Sequence, residues 1–252
     1  MNTLSSSRPL SPVALGGFLL AVLAGLGLLL SGVSNRLQWL DFRPALTLFR
    51  WAAYGGAAAL ALSIIGMILT RSGSARSGFG LAACGLVVSL VVVVIPLRWF
   101  QQVQRVPFIH DISTDLENPP LFVAVLPLRV GAPNPAEYGG PEVAAQQRQG
   151  YPDLAPLFLQ APLPRAFEHA LATARAMGWE IVVAEAGEGR IEATTTTFWF
   201  GFKDDVVVRV LPTGSGSRID VRSVSRVGRS DVGTNAARIT AYLARMAKDF
   251  SS

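Results

Sequence analysis

One cysteine and two histidines are all the thiol and imidazole chemistry in 252 residues. Cys84 stands alone inside an apolar run, so an intrachain disulfide is excluded and cysteine usage says nothing about redox compartment. Without paired Cys and His at ligand spacing, no metal site and no cofactor is expected. A P-loop, an HExxH helix and a Gly-x-Ser-x-Gly elbow are absent too, which removes the motif-based routes to a nucleotide enzyme, a zinc protease or an α/β-hydrolase. Charge is scarce: 15% of residues against 50% hydrophobic, an apolar balance for a water-soluble domain.

The charge that exists is unevenly placed. Residues 1–105 hold eight arginines against a single acid, Asp41, a net of +7, whereas residues 106–252 hold 14 basic and 16 acidic residues, a net of −2. The pI near 10 therefore reflects arginines flanking apolar segments, where they meet lipid headgroups. The C-terminal part has no basic excess, and no nucleic-acid partner is expected.

Three uncharged runs lie in the first 105 residues, and they are read as spans at about 13–33, 51–70 and 78–97. Each approaches the ~20 residues needed to cross ~30 Å of hydrocarbon. The first is longer than the apolar region of a cleaved signal peptide. No ionisable side chain lies within a span, which argues against a transport path. Gly17, Ala21 and Gly25, like Gly55 and Ala59, recur every four residues, the spacing that lets helices approach closely. Between the first two spans Arg36, Trp39, Phe42, Arg43, Phe49 and Arg50 interleave rings and guanidinium groups as an interfacial segment does. Arginine counts across the loops lean toward a cytoplasmic C-terminal domain.

Residues 106–252 are expected to form an extra-membrane domain with a proline-rich arm over 106–162. Ten of the 16 prolines fall between 119 and 164, and an arm this long reads as wrapping the domain. Leu163 to Met177 follows helical spacing and stops at Gly178. Strands are expected over Trp179–Ala186, over Arg190–Phe202, around Val206–Val210 and around Ile219–Ser223, before a helix marked by Ile239, Leu243, Met246 and Phe250. The fold class is α+β: three transmembrane helices, then a small α-β-β-β-β-α domain with an antiparallel sheet and an extended N-terminal arm. The aromatic set Phe198, Trp199, Phe200 and Phe202 occupies both faces of its strand end, so cover on both sides is expected, from the arm, lipid or a partner.

A hairpin register with Leu211 opposite Arg218 sends Val208, Val210, Ile219 and Val221 toward the helices. It sets Arg209 against Asp220 on the other face, with Arg222 diagonal to Asp205 and Arg226 further along. The loop that follows carries Ser230, Asp231 and Asn235 into the start of the last helix, where free N–H groups receive a cap or an anion. The candidate binding residues are thus Asp204, Asp205, Arg222, Ser225, Arg226, Ser230, Asp231 and Asn235, with His110 and Asp111 joining if the arm folds onto the loop. Mutual ion pairing and helix capping is the simpler reading of the same residues. His110 as a general base beside Asp205 and Asp231 is the catalytic alternative.

The segments GFKDD at 201–205, DVRSVSRVGRSDVGTN at 220–235 and IHDISTD at 109–115 resemble the bacterial and plastid family called domain of unknown function 1499. The resemblance covers about residues 107–248. It implies a fold boundary and site candidates but no reaction. Because members include exported and thylakoid-lumenal proteins, it implies a periplasmic domain on an inner membrane, against the arginine count. A cysteine-containing segment found at the start of many members is missing here.

Together these readings point to a membrane-anchored envelope protein whose partners are the lipid bilayer and a membrane or envelope protein or an anionic headgroup. A membrane-bound hydrolase-like enzyme using the Asp/Arg/Ser loop is the alternative.

Overall fold

The computed structural model describes residues 8–250 and divides into two compact units, Met1–Gln101 with Phe198–Gly201, and Gln102–Thr197 with Phe202–Ser252. The first unit is built on three helices, α1 (Pro12–Arg36), α2 (Phe42–Leu69) and α3 (Phe79–Arg105). All three are long and apolar enough to cross a membrane. Their small residues sit where backbones meet. A Cβ on Gly17 would lie 3.0 Å from the Ser63 nitrogen, and one on Gly66 would lie 3.0 Å from the Ala14 Cα. The four-residue spacing of small side chains thus serves packing within this chain. The helices overrun the apolar runs at two ends. α2 starts at Phe42, so Arg43, Phe49 and Arg50 are helical, and α3 continues to Arg105 through Gln101, Gln102 and Gln104. Polarity marks where hydrocarbon would stop, not where backbone hydrogen bonding does.

The second unit carries one antiparallel sheet. Its strands are β1 (Asp111–Ser113), β2 (Leu157–Leu159), β3 (Glu180–Glu185), β4 (Arg190–Thr196), β5 (Lys203–Thr213) and β6 (Gly216–Ser225), ordered β1-β6-β5-β4-β3 with β2 also on β6. Helices α4 (Gly140–Gly150), α5 (Leu163–Ala176) and α6 (Thr234–Phe250) complete it. The four strands and two helices read from periodicity are all present. The β5–β6 register places Leu211 opposite Arg218, Val210 opposite Ile219 and Val208 opposite Val221. On one face these valines and Ile219 join Ile112, Phe167, Ala170, Ile191, Ile239 and Met246 in a buried core under α5 and α6. Trp179 stacks on Tyr242 with ring centroids 4.8 Å apart, and the Tyr242 hydroxyl donates to the Ala170 carbonyl at 2.9 Å. Gly178 closes α5 with φ +75, donating its N–H to the Arg175 carbonyl at 2.9 Å.

Two expectations are corrected. The arm is not merely extended: it supplies β1, β2, α4 and a 3₁₀ turn at Leu126–Arg129. Its two short strands pair end to end along one edge of β6, Asp111–Ser113 with Arg222–Val224 and Leu157–Leu159 with Ser217–Ile219. An exposed edge is thereby covered. Pro141 is tolerated in the first turn of α4, where its missing N–H costs nothing. Strand β4, for its part, ends at Thr196 rather than Phe202. Residues 198–201 belong to the first unit, where Asn35 Nδ2 donates to the Phe200 carbonyl and Arg36 Nη1 to that of Phe198, both at 2.6 Å. Phe200 lies 5.9 Å from Phe49 and 6.0 Å from Trp99. Phe200 is thus covered by α2 and α3 rather than by the arm, while Phe198 stays 93% exposed.

Candidate functional site

Successive residues of a strand face opposite sides of the sheet, and this separates the expected polar constellation into two groups. Asp205, Arg222 and Arg226 face away from α5 and α6, under the arm. Asp204 and Ser225 face the helices, beside Asn235. Adjacent acids Asp204 and Asp205 therefore never share one surface, which corrects the single-site reading.

Under the arm, Asp205 is fully buried and accepts from Arg129 Nη1 at 2.5 Å, Arg226 Nη2 and Nε at 2.8 and 2.9 Å, and Thr194 Oγ1 at 2.7 Å. Burial pushes its pKa up, but the hydrogen bonds from Arg226, Thr194 and Arg129 outweigh burial and hold it below the ordinary 3.8. Arg222 is also fully buried. It grips Asp111 through Nε at 2.9 Å and Nη2 at 2.8 Å, donates to the Pro120 and Ala136 carbonyls, and lies between the rings of Phe122 and Tyr138 at 5.0 and 5.3 Å. Burial, helped by the Asp111 charge, pushes the Tyr138 hydroxyl up to about 12. Further along the face Arg209 and Arg218 both reach Asp115 and Asp220, at 2.8 to 3.2 Å. Glu192 takes the N–H groups of Val123, Ala124 and Val125 at 2.9 to 3.0 Å and pairs with Arg190.

On the helix face Arg238 Nη2 holds Asp204 at 2.7 Å, and its Nη1 reaches Ser223 Oγ at 3.0 Å and Asn235 Oδ1. Asn235 Nδ2 donates to Ser225 Oγ at 3.0 Å and to the His110 carbonyl at 2.9 Å. Asp231 occupies the start of α6: Oδ1 accepts from Gly233 N at 3.1 Å and Oδ2 from Asn235 N at 2.5 Å. Burial, with Asp204 adding to it, raises the Asp231 carboxyl above 3.8 despite these two bonds. Ser230 Oγ accepts the Val232 N–H at 3.2 Å, and Val232 has φ +54, an uncommon conformation for a β-branched residue. The helix start is thus filled by this chain's own carboxylate.

The arm does fold onto the loop, as the inclusion of His110 and Asp111 required. Ser225 N donates to the His110 carbonyl at 3.0 Å. His110 lines a cleft of about 320 Å³ together with Phe108, Glu137, Glu142, Val143 and Arg229. The Arg229 guanidinium lies 5.3 Å from the Phe108 ring. Among the described residues, no group of three His, Cys, Asp or Glu is placed to hold a metal ion.

A family model described as protein of unknown function, DUF1499, matches residues 111–246, the stretch that contains β1, the buried ion pairs and most of α6. This chain belongs to the DUF1499 family. No curated protein matches its sequence. The motifs that carry the family resemblance thus sit at the structural centre of the DUF1499 domain: Asp111 of IHDISTD binds Arg222, and Asp205 of GFKDD binds Arg226.

Several residues of this arrangement lie outside the sequence-based expectation, Arg238 and Thr194 among them. Arg129 was visible as the lone charge in the apolar run LFVAVLPLRV, and Glu192 as an acid among the apolar and Thr positions of its strand. Glu142 carries no local signal because α4 has no periodic apolar face in the sequence, and Glu137 lies in the bend region before that helix.

Proposed function

We propose that this DUF1499 protein is a membrane-anchored binding protein of the bacterial inner membrane, with residues 1–105 as anchor and 106–252 as a domain on the periplasmic side. Three helices of membrane-crossing length support the anchor. The family resemblance favours the periplasmic side over the cytoplasmic side suggested by the arginines. Alkaline phosphatase fused after Ser252 should be active in whole cells. A silent phosphatase fusion with an active cytoplasmic reporter at the same point would reverse the orientation.

The binding site we assign to the domain is the cleft beside His110, and one observation carries that reading. The buried acids of the domain are engaged by guanidinium groups or backbone N–H groups, whereas the exposed Glu137 and Glu142 line the cleft beside Arg229 and have no ion-pair partner among the described residues. Arg222 and Arg226, the guanidinium groups expected to receive an anion, spend their donors on Asp111, Asp205 and carbonyls. The ligand is accordingly an apolar group bearing a cation or hydrogen-bond donor: Phe108 and Val143 receive its body, and the two glutamates its charge.

The test uses the full chain in phosphatidylcholine nanodiscs with hexylammonium and hexanoate as probes. Hexylammonium should raise the melting temperature of the domain and hexanoate should not, and the rise should vanish in Glu137→Gln/Glu142→Gln. Equal shifts with both probes, or a shift that survives in the double variant, would overturn the assignment.

A further inference from the structure

We propose that residues 121–130 form a ridge that inserts its side chains into the bilayer surface, a second contact with the membrane besides the helices. Between Pro119 and Pro135 the chain has a single charged residue, Arg129, and it is turned inward onto Asp205 at 2.5 Å. Phe122 and Val125 are also turned inward, against Val207 and Val224 of the sheet. Left outside are Leu121, Val123, Leu126, Leu128 and Val130, with exposures of 71%, 53%, 44%, 52% and 88%. This inverts the usual order of a surface segment, in which charge faces water and aliphatics face the core. Five neighbouring exposed aliphatics make a patch of the kind that marks a binding surface.

The exposure is held in place. Glu192 fixes three consecutive amides of the segment, Val123 to Val125. Arg129 Nη2 adds bonds to the Asn134 and Pro135 carbonyls at 3.0 and 3.2 Å. With both ends clamped, the segment has no freedom to roll its leucines inward. Exposed aliphatic surface is costly in water, and this chain holds it out with buried polar anchors.

The chemistry of the ridge selects a lipid surface as its occupant. Outward side chains are aliphatic throughout, with no outward charge and no aromatic ring, whereas hot spots for protein partners are enriched in Trp, Tyr and Arg. Acyl chains at the headgroup boundary ask only for apolar area. The covalent chain supplies the bilayer. The second unit begins at Gln102, inside α3, and β1 starts at Asp111. The five residues between the end of α3 at Arg105 and β1, 106–110, extend at most about 18 Å. The proposal rests on the membrane-anchored reading, and the test separates the two.

The full chain carrying Cys84→Ser is spin-labelled through Val130→Cys or, as a control on an exposed turn of the same unit, through Ser215→Cys. Each is placed as one copy per phosphatidylcholine nanodisc, and collisions of the label with oxygen and with a water-soluble nickel chelate are compared. At 130 the oxygen-to-nickel ratio should be several-fold higher than at 215. Adding Leu121→Gln/Leu128→Gln should bring the ratio at 130 down toward that at 215. A label at 130 as open to nickel as the one at 215, in discs that hold the chain, would overturn the ridge and leave the anchor standing. A chain that fails to enter discs would overturn both. Single occupancy of each disc removes a second copy as the source of protection, and neutral lipid removes simple charge attraction.

Discussion

Arg222→Met should cost the domain about 3–5 kcal/mol, the range for removing one partner of a buried ion pair. The reason lies in what the guanidinium leaves behind. Asp111 is 3% exposed, and its carboxylate takes both oxygens' bonds from Arg222. Met fills the space between Phe122 and Tyr138 but offers no donor. It also strands the Pro120 and Ala136 carbonyls, which Arg222 bonds at 3.2 and 2.7 Å. Asp111→Leu in the Arg222→Met background removes the stranded charge and should recover part of the loss, since paired replacement of buried ions by apolar groups is often neutral or better. Recovery stays partial because the two carbonyls remain. Urea unfolding of the full chain in micelles, followed by near-ultraviolet circular dichroism, measures all three variants. A single-variant loss below about 1 kcal/mol, the scale of an exposed pair, would mean the pair is not a structural centre.

The same residue shows how far the sequence could be read. Alternation of valines with charged residues in β5 and β6 determined the register, because a slip by one would bury Arg209 among the valines and expose Val210. The same alternation puts Arg222 on the face away from the helices, where it lies. It could not name the partner. Arg222 is diagonal to Asp205 but binds Asp111, on a strand only three residues long. The arm gave little periodic signal because its residues are fixed by anchors at irregular spacing: Phe122, Val125, Arg129 and Asn134. Asn134 Nδ2 bonds the Ser225 and Gly228 carbonyls at 3.0 and 2.8 Å, contacts between positions about 90 apart in the chain. Long-range side-chain to backbone bonds leave no local pattern, so the arm's strands and α4 were legible only as proline density. The grouping of Asp204 with Asp205 failed for the opposite reason. Proximity in sequence is not proximity in site, because the strand period that orients the valines also sends neighbouring acids to opposite faces.

Asp205→Asn should be comparably destabilising at neutral pH, about 3–5 kcal/mol for an uncompensated pair of buried cations, and its penalty should shrink in acid. In the native domain Asp205 holds its proton less tightly than in the unfolded chain, because Arg226, Thr194 and Arg129 bind the carboxylate. A depressed carboxyl contributes stability that is full above its unfolded value of 3.8 and is lost as pH falls through the folded value below it. Wild type should therefore lose this contribution below about pH 3.8, while Asp205→Asn, with nothing to protonate there, should not. Asp231 runs the other way. Its raised carboxyl lets the folded domain bind the proton more tightly, so that group alone favours folding less as pH rises above 3.8. The two acids are separated by using Asp231→Asn as a parallel variant across the same pH series. Unfolding free energies that keep a constant gap between wild type and Asp205→Asn down to the lowest pH would show that Asp205 is not the ionised centre of its three donors.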